Sequence, residues 1–497
     1  MTFTSLNVRG RDKRGHRLRW ILFIPVFLAL STPVFAQSTT SADNQPPCPP
    51  DNNSCPSTQA EAQVQDSPGP SSGDFNMFDH SQPSRFWISG QVNVIDQWHP
   101  SFHSPYSGQN SFTAPAENAM SRLSTLFLGY RLTQWTDVFF AGEEFNGGGL
   151  SKTYGLASFT DMDVVRNPSL GPKPYVARFG IHTIIPLSDK LVDNDRTWSD
   201  PESQLPEKRI EIRVGKFSAP DFMDPNSASS DSHHQFMNWG LDNELTWDYP
   251  ADTRGYTYGA EIEYDSPHFS ARFLEGLMPY VANGLQLDWN LARSHSESLE
   301  LEFRPQLFQE KSTVIRFLGF VNHANMGDYA EAIKMWQEGL TPVPDVTQTR
   351  QFGTVKYGFG VNLEQEVYRG VTVFSRIGWN EGQHESFTYT DVNNTISAGV
   401  MVSGRYWGRP TDKFGVAAIS DGLSKEHAQY FADGGMGFVV GDGALNYGRE
   451  NILETFYTAH LWKGVYAGPD VQFVQNPGYN RDRGPVPVLG FRFHVDF

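Results

Sequence analysis

From Phe86 to the last residue, apolar and polar side chains take turns in a series of short stretches. These are 86–98, 122–132, 175–183, 209–217, 255–264, 298–304, 313–321, 357–367, 371–380, 395–406, 452–461 and 488–497. A period of two puts alternate side chains on opposite faces of a strand. In 488–497, Phe491, Phe493, Val495 and Phe497 share one face, and Arg492, His494 and Asp496 share the other. Most of these stretches are close to the roughly ten residues that a tilted strand needs to cross a bilayer. Gly, Pro, Asn and Asp gather between them, as turns require. The pattern predicts an all-β fold, a transmembrane antiparallel β-barrel, apolar toward lipid and polar toward the lumen. At least a dozen strands are legible, and even strand numbers make about 16 the expectation. The competing reading is a soluble β domain that packs the same apolar faces into a core.

Parity assigns the inner face. In 209–217, Ile210, Ile212 and Val214 face lipid, while Arg209, Glu211, Arg213 and Gly215 face the pore. In 357–367, Asn362, Glu364 and Glu366 oppose Phe359, Val361, Leu363, Gln365 and Val367. Arg131 opposes Leu126, Leu128 and Leu132, whereas Arg376 shares a face with Thr372 and Phe374 and could point either way. Aromatics near strand ends, among them Phe140, Tyr256, Trp379, Tyr406, Phe456 and Trp462, suit an interfacial girdle. Any that face inward offer rings on which sugar CH faces can stack. The long connections 189–207 and 327–351 predict outer loops, and Tyr368-Arg369-Gly370 an inner turn. Helical spacing over 330–336 predicts a short helix within its loop.

The N-terminal region reads differently. Arg9, Arg11, Lys13, Arg14, Arg17 and Arg19 precede an apolar stretch from Trp20 to Leu30, and Val34-Phe35-Ala36 leads into Gln37. This predicts a secretory signal peptide, residues 1–36, cleaved after Ala36. The apolar stretch is too short for a spanning helix, and no later one reaches the needed length, so any crossing is made by strands. Residues 37–84 are rich in Ser, Pro and Gln and lack apolar periodicity, which predicts a disordered periplasmic leader. Residues 85–497 form one uniform domain. Export puts Cys48 and Cys55, the only cysteines, in an oxidising compartment and predicts a small disulfide loop. Two thiols without a nearby His do not make a zinc site.

Hydrophobic content of only 39% alongside 13% aromatics fits strands that are half polar. The formal charge is −17, and the first 36 residues are basic, so the remainder is more acidic still. That argues against nucleic acid, whose binders carry a basic face. The chain has no His-Glu-x-x-His, no Gly-x-Ser-x-Gly and no P-loop, so no enzyme is expected. Asp221, Asp224, Asp231 and His233 lie close in sequence and could hold Ca²⁺ or form a solvated acidic loop; no metal or cofactor is assigned.

Five local sequences carry a resemblance. They are 102–111 (Phe-His-Ser-Pro-Tyr-Ser-Gly-Gln-Asn-Ser), 125–132 (Thr-Leu-Phe-Leu-Gly-Tyr-Arg-Leu), 143–151 with 154–157, 213–217 with 235–239, and 247–259 (Trp-Asp-Tyr-Pro-Ala-Asp-Thr-Arg-Gly-Tyr-Thr-Tyr-Gly). The chain resembles the carbohydrate-selective porin family, the OprB-type outer-membrane channels, over about residues 85–497 and most strongly over 85–290. It departs from the family at Ala141-Gly142, where Asn-Pro is expected. The resemblance implies a 16-stranded barrel in the bacterial outer membrane through which sugars diffuse passively, with a charged constriction. Its partners would be small neutral sugars and outer-membrane lipids, with a homotrimer or a monomer both open.

A neutral-sugar pore needs donors and acceptors that exchange with hydroxyls, and Arg with Glu supplies both. Arg131, Glu143, Arg178, Arg213, Arg254 and Glu364 are the expected pore-lining set. For each, the plainer reading is a cross-strand ion pair that stiffens the wall. The rival functions are a porin for other small solutes or acidic saccharides, and a non-conducting binding barrel closed by a plug.

Overall fold

A computed structural model describes residues 77–78, 84–167, 169–194, 196–307, 312–388 and 391–497. The expected signal peptide, nearly all of the leader and the Cys48–Cys55 pair lie outside the described residues. The strands are β1 (Phe86–His99), β2 (Glu117–Thr133), β3 (Thr136–Gly147), β4 (Tyr175–Pro186), β5 (Leu191–Asp193), β6 (Gln204–Pro206), β7 (Arg209–Phe217), β8 (Thr257–Ser266) and β9 (Phe269–Gly276). They continue as β10 (His295–Phe303), β11 (Thr313–Met326), β12 (Gln351–Tyr368), β13 (Val371–Asn380), β14 (Asn394–Ser403), β15 (Lys413–Gly422), β16 (Glu450–Trp462), β17 (Val465–Gln475) and β18 (Val486–Asp496). All but β5 and β6 form one closed barrel of 16 strands, each hydrogen-bonded to its chain neighbour in the wall, with β18 returning to β1. Val94 pairs with Phe493 across that seam. Closure leaves the wall no exposed edge, which a lipid environment requires.

Alternation produces the wall. Phe491 is 51% exposed and Phe493 41%, whereas Arg492 and His494 between and beyond them are buried toward the lumen. Arg376, ambiguous by parity, points inward and is 1% exposed. Trp379, Tyr406 and Trp462 sit on the outer surface, as a girdle would. Tyr256 and Phe456 do not; both are buried inside the barrel.

Four wall strands escape the alternation pattern. In β3 the doublets Phe139-Phe140 and Glu143-Glu144 break the period, and the β3–β4 register shifts between Ala141 and Gly142, the place where the family pattern is lost. The strand β9 has only eight residues. The strand β15 is rich in Gly and Ala, and β17 carries Pro469, which ordinarily argues against a strand. Residues 189–207 are not an outer loop: β4 ends at Pro186, and Thr183 pairs with Thr136 at the end of the tight β2–β3 turn. The connection therefore leaves from the tight-turn end, where its β5–β6 hairpin folds. Overlooking β3 reverses the direction assigned to the next strand, and so the side assigned to its loop.

The other end carries the longer connections. The expected helix is α2 (Tyr329–Gln337), preceded in the chain by α1 (Trp239–Asp242) and followed by α3 (Lys425–Ala432). Tyr329 of α2 stacks on His427 of α3 at 4.1 Å between ring centres. Two connections, 148–167 and 218–256, bury most of their length within the barrel and give it an apolar core. Phe159 stacks on Trp239 at 5.3 Å, and Phe236 packs edge-on against Phe456 of the wall at 4.8 Å.

Candidate functional site

A buried loop must find partners for its backbone N–H groups. The wall provides them as inward carboxylates. Glu450 accepts from the amides of Ala157, Ser158 and Gly478. Glu454 accepts from Met237 and Asn238, Glu300 from Asp224, and Glu364 from Ser227 at 2.6 Å. Asn238 caps α1 by accepting from the Gly240 amide. The loop 218–256 is thereby pinned against strands on both sides of the lumen and narrows it.

A polar cavity of about 670 Å³ remains beside this loop. Glu143, Tyr175, Arg178, Asp221, Arg254 and Tyr256 form one side, and Trp198 of the tight-turn connection enters from the opposite end. Arg178 donates two hydrogen bonds to Asp221, both at 2.7 Å, and one to Glu143 at 3.1 Å. Glu143 also accepts from Tyr175 at 3.0 Å and from Tyr256 at 2.5 Å. The Arg178 guanidinium lies 5.0 Å from the ring centre of Tyr256 and 5.2 Å from that of Trp198. Arg254 lies 4.0 Å above Tyr175. Burial and the Glu143 carboxylate hold the Tyr256 phenol well above its ordinary range, so it stays protonated.

Trp198 is held by its carbonyl, which accepts from Trp87 Nε1 at 3.1 Å and from the Ser89 hydroxyl. Farther along the cavity, His233 bridges Asp163 and Gln91, each at 3.0 Å. Burial opposes its charge, but the Asp163 carboxylate overrides this and lifts His233 to about 9.

Of the six residues expected to line the pore, three meet here: Glu143, Arg178 and Arg254. The other three do different things. Arg131 pairs with Glu202 and ties the tight-turn connection to β2. Arg213 and Glu364 belong to a cross-strand ladder: Arg213 to Glu261 at 2.8 Å, Arg272 to Glu263 and Glu300, and Arg316 to Glu302 and, at 3.1 Å, Glu364. That ladder spans β7 to β12. Arg213 also lies 4.6 Å from the ring centre of Phe222, beneath the inner loop.

The acidic group noted in the sequence is dispersed by the fold. Asp221 goes to Arg178, Asp224 to Arg376, Asp231 to His234, and His233 to Asp163. Trp198 and Asp163 reach the cavity from segments with no strand pattern, so parity could not find them.

Comparison with known proteins adds to this geometry. Residues 189–497 match the family described as carbohydrate-selective porin, OprB family. The first three of the resembling motifs lie upstream of that stretch, in strands and loops of the same closed barrel. No curated protein sequence matches. Among solved structures, the high-pH form of Pseudomonas putida OprB is similar over 83% of this chain and 94% of its own, with 13% identity and a TM-score of 0.61. The low-pH form of the same protein gives 10% identity and 0.43 over 83% and 93%. An anion-selective porin from Comamonas acidovorans gives 9% identity and 0.44 over 83% and 99%.

Proposed function

The chain belongs to the OprB family of carbohydrate-selective porins and is an outer-membrane porin for carbohydrates, and on that premise we propose that Glu143, Arg178, Asp221 and Arg254 are the polar waist at which sugars pass. The observation that carries this reading is Arg178, shared between Asp221 and Glu143 and close to both the Tyr256 and Trp198 rings. Guanidinium and carboxylate exchange hydrogen bonds with hydroxyls, and the rings take the CH faces of a pyranose. Because Arg178 is neutralised by its carboxylates, the waist favours small neutral sugars over simple ions. The contacts are individually weak, as release on the far side requires.

Trp198 lines the same passage, and Arg131 keeps its segment in place. Arg213 and Glu364 act indirectly, by stiffening the wall and anchoring the inner loop. The outer apolar belt contacts outer-membrane lipid, and residues 1–36 direct export, with cleavage after Ala36. Swelling of liposomes that carry the protein tests the reading. Mono- and disaccharides are expected to enter faster than amino acids of similar size, and Arg178→Ala to remove that preference. Equal rates for both solute classes in the unaltered protein would overturn it.

A further inference from the structure

Two histidines and a carboxylate converge at the tight-turn end of the cavity. His494 and Asp496 stand on β18, and His234 comes from the inner loop. His234 Nε2 lies 3.1 Å from one Asp496 oxygen, and His494 Nε2 lies 3.0 Å from the other. All three prospective ligand atoms lie within 4.8 Å of one another. Tetrahedral Zn²⁺ with ligand bonds of about 2.0–2.1 Å places neighbouring donor atoms about 3.3 Å apart, so this triangle needs little rearrangement.

The far side of each ring is also fixed. Asp231 accepts from His234 Nδ1 at 2.9 Å, and Asn93 Oδ1 accepts from His494 Nδ1 at 3.2 Å. A hydrogen bond at Nδ1 sets the tautomer that presents Nε2 to a metal, and a carboxylate in that position raises the basicity of the ring. His233 stacks on His494 at 5.0 Å between ring centres, and Tyr466 stands edge-on to His234 at 4.5 Å, so both rings are held in orientation. The His494 side chain is fully buried. His234, Asp231, Tyr466 and Asp496 line the cavity, which leaves the fourth coordination position open to water in the pore.

We propose that His234, His494 and Asp496 form a binding site for a first-row divalent transition metal of the Zn²⁺ class, which clips the inner loop 218–256 to β18. Two imidazoles select such ions over Mg²⁺ and Ca²⁺, which prefer all-oxygen sites. Binding displaces any proton from each Nε2 into solvent and oxidises nothing. The clip joins residues 262 apart in sequence, so it restrains a loop that borders the cavity.

The site itself does not depend on the carbohydrate reading, and its first test does not use conductance. A second His–Glu–His group, His295, Glu297 and His323, lies elsewhere on the wall. The full-length protein should therefore carry His295→Gln and His323→Gln as background. Titration of this detergent-solubilised protein with ZnCl₂ is expected to show one saturable site that Mg²⁺ and Ca²⁺ do not compete for. Asp231→Asn is expected to weaken it by about 10- to 100-fold, the usual effect of losing an outer hydrogen-bond partner. His234→Gln and His494→Gln are expected to abolish it, with the unheated gel mobility of a folded barrel retained. X-ray absorption of the zinc-loaded protein should report two imidazole nitrogens, and amide exchange over 231–236 should slow on loading. Absence of saturable Zn²⁺ binding, or binding that survives loss of both histidines, would overturn the proposal. Saturable zinc binding as described, in a protein whose liposomes admit sugars and amino acids equally, would leave the site standing and overturn only the carbohydrate waist.

Discussion

Arg376 on β13 grips Asp224 of the inner loop at 3.0 Å, with side chains 1% and 2% exposed. The same guanidinium donates to the Leu241 carbonyl at 2.8 Å and to the hydroxyls of Ser229 and Ser230. A buried ion pair gains little over an apolar pair of the same shape, but losing one partner strands a charge. This pair thus sets where the loop lies more than how stable the barrel is.

Arg376→Leu should therefore loosen the loop by about 3–5 kcal/mol, the cost of an uncompensated buried charge. Limited proteolysis within 218–256 should accelerate while the gel mobility of the folded barrel is kept. Adding Asp224→Asn should restore much of the resistance, because it removes the stranded charge while keeping an acceptor at a left-handed position (φ 58°) that Asn tolerates. A single variant as resistant as the parent would show that the loop is held elsewhere.

Arg254 and Arg213 should separate in sugar binding. Arg254 faces the cavity and lies over Tyr175, whereas Arg213 is occupied by Glu211, Glu261 and Glu263 beneath the loop. Arg254→Ala should weaken sugar block of single-channel current by roughly 2- to 13-fold, the equivalent of a net hydrogen bond of about 0.5–1.5 kcal/mol. Arg213→Ala should chiefly raise current noise, through a looser wall. If both leave conductance and block unchanged, the charged waist is in the wrong place.

Gly378 makes room for the loop. A Cβ there would stand 1.8 Å from Glu244 Oε1 and 2.2 Å from Thr246 Oγ1. Gly378→Ala should destabilise the loop seat by about 1–3 kcal/mol, as overpacking does. Gly319 has no atom within 4 Å of such a Cβ, so Gly319→Ala is the matched control and should be silent in proteolysis and conductance.

Glu244 should make the loop sensitive to pH. Burial first, and then the nearby Asp224 carboxylate, lift it from 4.5 to about 8. The folded loop thus holds a proton that the released loop gives up. The stabilisation is complete below about 4.5, shrinks as pH rises, and is gone above about 8. Amide protection over 241–247, corrected for intrinsic exchange, should fall across that window, and Glu244→Gln should flatten the fall. Protection that rises with pH would contradict this.

Alternation determined most of the barrel. A lipid-facing position must be apolar and its neighbour need not be, so inward and outward residues of β7, β12 and β18 could be assigned without coordinates. The same rule could not find β3, β9, β15 or β17, where doublets, short length, small residues or a proline erase the contrast. Losing β3 alone turned the 189–207 connection to the wrong end. Local motifs identified the family and contained Glu143 and Arg254, while Arg178 came from the alternating stretch 175–183. What the tertiary structure decided is everything that depends on the folded-in loops. Arg213 and Glu364 face inward as parity requires, yet they meet the inner loop and the ion-pair ladder rather than the cavity. Trp198 and Asp163 reach the cavity from segments without a period, and Asp496 joins His234 across 262 residues. Periodicity records which side of a strand is dry, because burial acts on each residue separately. It holds no record of what meets whom across a lumen, because those contacts depend on how distant segments pack together.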